Sequence, residues 1–226
     1  MEKFDHIYQR AAERKGGEEE LEARLNKPAS KEELLAISDD RWLSAFSQKV
    51  FQSGISWKVV RNKWPNFEEL FFQFRIEPLL MLSDEEWEKR ASDARIIRHN
   101  AKVMSIAGNA DMIYQTRIEH GSFAHFIANW PQDNITGLWQ YLKKHGSRLG
   151  GNTGPYSLRQ LGVDTFMFTQ DVESYLRNTG IVDSGKTTKR AMTAADTAFA
   201  TWQQESARSL TEISQIIAFS VGDNRF

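Results

Sequence analysis

The chain contains no cysteine among its 226 residues. Disulfides, a thiolate nucleophile and cysteine-ligated zinc are therefore excluded, and a reducing compartment, the cytoplasm, is expected. Charge of either sign is not in excess, because 29 basic and 30 acidic residues leave a net charge of -1. No global field draws the chain to nucleic acid, so any such binding must rest on a local patch. Apolar runs of membrane-spanning length are missing, and the charged N-terminus does not read as a signal sequence, so no membrane partner is expected. With 40% hydrophobic and 26% charged residues, the chain is not of the disordered class, and its length can bury a core as one large domain or two lobes.

What is present is helical periodicity. Phe4, Ile7, Tyr8 and Ala11 share a helical face, and Gly16-Gly17 ends that helix. Ser30 with Glu33, and Ser83 with Glu86, have the spacing of capping boxes. Phe67, Leu70, Phe71 and Phe74 form a core stripe at i, i+3, i+4 and i+7. A helix over 100–120 turns Val103, Ile106, Ala107, Ala110 and Tyr114 inward, and Arg98, His99 and Lys102 near its start could contact phosphate, be solvated or cap a helix. The only strand-like piece is 164–168, too short for a sheet, and Ser184-Gly185-Lys186 reads as a loop. The fold class is all-α.

Two stretches carry chemistry. In the first, a helix over about 136–144 runs into Lys143-Lys144-His145-Gly-Ser-Arg148-Leu-Gly150-Gly151-Asn-Thr153-Gly154-Pro155-Tyr156. Glycines let backbone N–H groups approach an anion, and Pro155 suits the first turn of the outgoing helix, whose positive dipole end faces it. Residues 134–163 hold Lys143, Lys144, Arg148 and Arg159 with no Asp or Glu, a local positive field. An ordinary helix end has similar punctuation. Asp171 follows, where the next helix begins; it is placed either for chemistry or as a helix cap worth about 1 kcal/mol.

The second stretch is Gln52-Ser53-Gly54-Ile55-Ser56-Trp57 between two helices. A glycine beside an aliphatic residue has the form of a loop that pushes a wedge into a base stack, and a following Trp could stack on an extruded base. A Trp at a helix start is also commonly a core residue.

These two stretches, with the order in which they occur, resemble the helix-hairpin-helix DNA glycosylase superfamily. Leu149, Gly151 and Gly154 fit its hairpin, over about 136–162, and Asp171 fits its catalytic acid. The Gln52 to Trp57 motif, with 93–102 and Gly108-Asn109-Ala110, is similar to the Tag-type 3-methyladenine DNA glycosylases, a likeness covering about residues 40–220. The resemblance implies a single 1–226 helical glycosylase domain of two lobes with a central cleft. It also implies Gly54 and Ile55 as the DNA wedge, Trp57 lining the base pocket, and Arg148, Gly150, Gly151, Thr153 and Gly154 on the DNA backbone. Bifunctional members carry a lysine at the hairpin exit; Pro155 and Tyr156 stand there, which implies a monofunctional enzyme without a Schiff base.

Tyr8, Trp42 or Tyr156 could supply a second pocket wall, and an electron-rich aromatic face attracts a cationic alkylated base by roughly 0.5 to 2 kcal/mol. Where the Tag-type enzymes place a base-contacting Glu, eight residues before the pocket Trp, this chain has Lys49. The family's zinc clip cannot form without cysteine, so neither metal nor cofactor is expected. The expected function is a monofunctional glycosylase acting as a monomer on double-stranded DNA with damaged bases such as 3-methyladenine, in base excision repair. The alternatives are a non-catalytic DNA-binding or damage-sensing protein and a glycosylase for a different modified base.

Overall fold

A computed structural model describes residues 1–183, 185 and 188–222. Among them the helices are α1 (Phe4–Lys15), α2 (Glu18–Glu22), α3 (Lys31–Leu35), α4 (Asp39–Gln52), α5 (Trp57–Leu70), α6 (Ile76–Leu80) and α7 (Asp84–Ala91). They continue as α8 (Asn100–His120), α9 (Phe123–Ala128), α10 (Ile135–His145), α11 (Thr153–Gln160), α12 (Gln170–Asn178), α13 (Lys189–Ser206) and α14 (Leu210–Val221). No strand occurs among the described residues, so the fold is all-α. The expected loop at Ser184 and Lys186 lies outside them.

The chain forms two compact units, one of residues 1–29, 131–137 and 162–226, the other of 30–130 and 138–161. In the first unit α1 packs on α14, which α12 and α13 also flank. Phe4 and Ile7 from α1, Phe199 and Trp202 from α13, and Ile213, Ile216 and Ile217 from α14 are buried together with Phe166, which stacks on Phe199 at 4.1 Å. The extended 164–168 piece, strand-like in sequence, pairs with no strand. Its Thr165 and Met167 N–H groups donate to the Thr211 and Ser214 hydroxyls of α14, and Asp164 accepts from the Leu210 and Thr211 N–H groups at 3.1 and 2.8 Å. Side chains of a helix thus satisfy a backbone that a sheet would otherwise have to satisfy.

The second unit is organised on α4, which packs against α5, α8, α9 and α11. Trp42, Phe46 and Phe51 of α4 are buried, and Trp42 meets Phe123 edge-on at 5.5 Å, so Trp42 is core rather than a pocket wall. A polar tie joins α4 to α5. Trp64 donates its indole N–H to Ser44 at 3.1 Å, and Ser44 donates to Glu68 at 2.6 Å, which also takes both guanidinium ends of Arg41. Both capping boxes form, Ser30 with Glu33 and Ser83 with Glu86.

The phenylalanine stripe does not lie on one helix. After Leu70 the helix breaks, and Phe72, Gln73 and Phe74 take φ values of 57, 53 and 60°. Left-handed backbone costs roughly 1–2 kcal/mol per residue away from glycine. The break lets Phe71 and Phe74 both reach full burial, with Phe74 stacked on Trp64 at 5.5 Å.

Candidate functional site

The loop after α4 is held from below. α4 ends at Gln52 with unpaired C-terminal carbonyls, as every helix does. Lys102, on α8 and only 6% exposed, donates its ammonium to the carbonyls of Val50 at 2.6 Å and Ser53 at 2.5 Å, with Phe51 at 3.4 Å. A cation at the negative end of the helix dipole is favourable there. Burial, with Arg148 adding to it, pushes the Lys102 pKa down. Of the roles open to Lys102 in sequence, contacting phosphate, staying solvated or capping a helix, capping is the one the structure shows. Beyond it the chain turns at Gly54, whose φ of +86° suits glycine. Ile55 follows, half-buried.

Trp57 opens α5 and is 49% exposed, whereas Trp42, Trp64, Trp87, Trp139 and Trp202 are all at most 8% exposed. It is not a core residue. Tyr156 of α11 meets its ring edge-on with centroids 6.4 Å apart. The Lys49 ammonium, from α4, lies 4.4 Å from the Trp57 centroid and 6.0 Å from that of Tyr156. Three residues distant in sequence thus meet in one group, because α4 packs on both α5 and α11. Partial burial, reinforced by Arg61, lowers the Lys49 pKa. No carboxylate among the described residues pairs with it. Gln52, one turn on, keeps its side-chain carbonyl buried without a hydrogen-bond partner among the described residues.

The hairpin between α10 and α11 is built on Leu149, which is buried, and Gly154. Gly154 donates its N–H to the Leu149 carbonyl at 3.1 Å, and a Cβ there would stand 2.7 Å from that oxygen. Gly151 and Arg148 both take positive φ, 61° each, and Arg148 Nε donates to the Ala101 carbonyl at 3.1 Å. Gly150 lies against the stem of Lys143, and Thr153 N–H donates to the Gly150 carbonyl at 3.3 Å while starting α11. Lys143, Lys144 and Arg148 are exposed.

One residue of this assembly had a motif but no role in sequence. Asn109, fully buried on α8, accepts from the Ser147 N–H at 2.7 Å and donates to the Ser147 carbonyl at 3.1 Å. A buried Asn on a helix face was the available signal, since such a group must find partners.

Asp171 and Tyr8 belong to the other unit. Thr169 caps α12, so Asp171 is not the cap; it is partly exposed in the first turn. Its carboxylate lies against Gly222, where a Cβ would come within 2.4 Å of it, and it exerts an attraction on Lys15. Tyr8 donates its hydroxyl to Glu22 at 2.8 Å, and its ring lies 5.0 Å from the Arg208 guanidinium. Both its polar and its aromatic faces are engaged within that unit. No group of three or more His, Asp or Glu side chains among the described residues is disposed to hold a metal ion.

A family model described as methyladenine glycosylase matches residues 35–187. DNA-3-methyladenine glycosylase 1 of Escherichia coli strain K12 is 29% identical, over 56% of this chain and 82% of that protein. Among solved structures, a point mutant of 3-methyladenine DNA glycosylase I from Staphylococcus aureus superposes with a TM-score of 0.51 at 20% identity, covering 56% of this chain and 78% of that one. A structure of that Staphylococcus aureus enzyme concerned with 3-methyladenine recognition gives 0.50 at 20% identity, over 56% of this chain and 77% of the other. At that identity the structures speak for the fold.

Proposed function

The chain belongs to the methyladenine glycosylase family, whose model spans more than half of it, and from this premise we propose that it is a monofunctional glycosylase hydrolysing the N-glycosidic bond of alkylated bases in duplex DNA. The observation that carries the reading is the exposed Trp57, faced by Tyr156 and set beside the loop that Lys102 caps. An extruded base stacks on the indole, which is sequence-tolerant and worth roughly 1–3 kcal/mol. Gly54 and Ile55 fill the space the base leaves, and the hairpin backbone with Arg148 grips the neighbouring phosphates. Action as a monomer in the cytoplasm belongs to the same proposal.

The chemistry needs little more than charge and a water. As the C1′–N bond lengthens, its electron pair moves onto the base and the sugar acquires oxocarbenium character. In this reading the Asp171 carboxylate stabilises that charge and accepts a proton from the attacking water. With Pro155 and Tyr156 at the hairpin exit, no lysine stands there to form a Schiff base. Incubation with methylated duplex DNA is expected to release free methylated base, and Asp171→Asn to slow release by orders of magnitude. Unchanged DNA after prolonged incubation at high enzyme concentration would overturn the reading.

A second reading, a damage-sensing protein without base chemistry, is favoured by one observation: the Lys49 ammonium already lies over the Trp57 ring. It predicts salt-sensitive DNA binding with no base released and no effect of Asp171→Asn.

A further inference from the structure

We propose that Lys49 is the specificity-determining residue of the Trp57–Tyr156 pocket, and that the pocket selects an uncharged modified base presenting a carbonyl oxygen or ring-nitrogen acceptor to its ammonium. The proposal rests on the glycosylase reading given above and names the substrate class of the same site.

The ammonium lies 4.4 Å from the Trp57 centroid, within the distance at which a cation and an indole face attract. Tyr156 flanks it at 6.0 Å. The charge that acts on it is that of Arg61, of the same sign. The pocket therefore carries uncompensated positive charge where a base would stack. Its backbone cannot retreat, because the neighbouring Phe46 and Val50 of α4 are buried.

Two charges about 5 Å apart, at an effective dielectric near 20, disfavour co-occupancy on the order of a hundredfold. A base bearing a formal positive charge, as 3-methyladenine does while attached to deoxyribose, meets that repulsion. An uncharged base does not. If it turns a carbonyl or ring nitrogen toward Lys49, it gains a charge-assisted hydrogen bond, roughly ten- to a hundredfold in affinity.

The same contact serves the reaction. A cationic base leaves as a neutral molecule without help, whereas an uncharged base leaves as an anion unless protonated. The C1′–N electron pair moves onto the base, the Lys49 ammonium gives one proton to the acceptor atom, water oxygen bonds to C1′, and the proton lost by that water passes to a carboxylate or to solvent. Lys49 then regains its proton from solvent. Partial burial, which makes the ammonium a readier donor, works in this direction.

The test compares base release by wild type, Lys49→Glu, Lys49→Met and Lys49→Arg from two sets of duplexes. One set carries a single hypoxanthine or 1,N6-ethenoadenine, both uncharged; the other is dimethyl-sulfate-treated DNA containing 3-methyladenine and 7-methylguanine. Relative to the spontaneous loss of each base, wild type is expected to accelerate release of an uncharged base at least tenfold more than release of a cationic one. Lys49→Arg should keep that preference, Lys49→Met should lose it, and Lys49→Glu should invert it by raising release of the cationic bases. Thermal melting of each variant shows that the fold is kept. Equal or greater acceleration of cationic-base release over spontaneous loss by wild type, with the ratio unmoved in Lys49→Met and Lys49→Glu, overturns this proposal and leaves the glycosylase reading standing. No release of any base from either set overturns both.

Discussion

The side chain of Asn109 holds Ser147 by both of its backbone groups, accepting from the N–H at 2.7 Å and donating to the carbonyl at 3.1 Å. The arrangement copies one rung of a β-ladder with a side chain, and it fixes the entry of the hairpin to α8. Beside it, Gly108 lets the Ser147 side chain approach so closely that a Cβ at 108 would stand 3.1 Å from Ser147 Cβ.

Asn109→Ala is expected to lower stability by about 2 kcal/mol, the loss of two hydrogen bonds to partly buried backbone. Because the hairpin entry loosens, DNA affinity should fall as well, while stacking of a base on Trp57 is spared. Calorimetric melting and fluorescence anisotropy on a lesion-free duplex check both.

Lys102→Met removes the cation that collects the carbonyls of Val50 and Ser53. Leaving buried carbonyls unpaired costs roughly 1–3 kcal/mol each, so the melting temperature should drop by several degrees. The loop that precedes Trp57 should also change its geometry, visible as altered tryptophan fluorescence and as a loss of base release larger than the loss of duplex binding. A variant whose base release is untouched despite its lower melting temperature would deny Lys102 any positioning role.

Trp57→Ala should leave stability almost unchanged, since the ring is 49% exposed. Loss of one stacking platform is worth roughly 1–3 kcal/mol, or about five- to 150-fold in base release. Trp42→Ala, by contrast, empties a fully buried site and should cost roughly 3–5 kcal/mol of stability. Urea titration and single-turnover release on the two variants separate pocket from core.

Asp196, on α13, is half-buried against the Thr136 hydroxyl, and this burial raises its pKa from 3.8 to about 6. One of its oxygens has no partner among the described residues. A folded pKa above the unfolded one means that its stabilising contribution is complete below about pH 3.8 and is lost as pH rises through about 6. Asp196→Asn, which cannot ionise, should therefore gain melting temperature relative to wild type between pH 4 and pH 7. A difference that stays constant across that range would mean that Asp196 ionises normally in the folded chain.

Helix periodicity and capping residues are local properties, and they were legible. Ser30, Glu33, Ser83 and Glu86 form both boxes as spaced, and the helix over 100–120 has those bounds. The break after Leu70 was not legible, because no glycine or proline marks it. It exists because burying Phe71 and Phe74 outweighs left-handed backbone at Phe72 to Phe74. The extended 164–168 backbone likewise depends on hydroxyls of α14, 46 and 47 residues away.

At the site, residue types told which chemistry was on offer, and packing chose among the roles. An indole at a helix start is core or platform by composition alone; the packing of α4 on α5 and α11 left Trp57 exposed and gave it Tyr156 and Lys49. A lysine at 102 binds phosphate, stays solvated or caps a helix, and the proximity of α8 to the end of α4 made it a cap. The sequence by itself determined the helices, the glycine turn and the absence of thiol chemistry, because these depend on covalent structure and nearest neighbours. Only the tertiary structure decided which cation is buried, which aromatic is open and which amide clasps the hairpin, because burial and hydrogen-bond partnership are set by residues far apart in the chain.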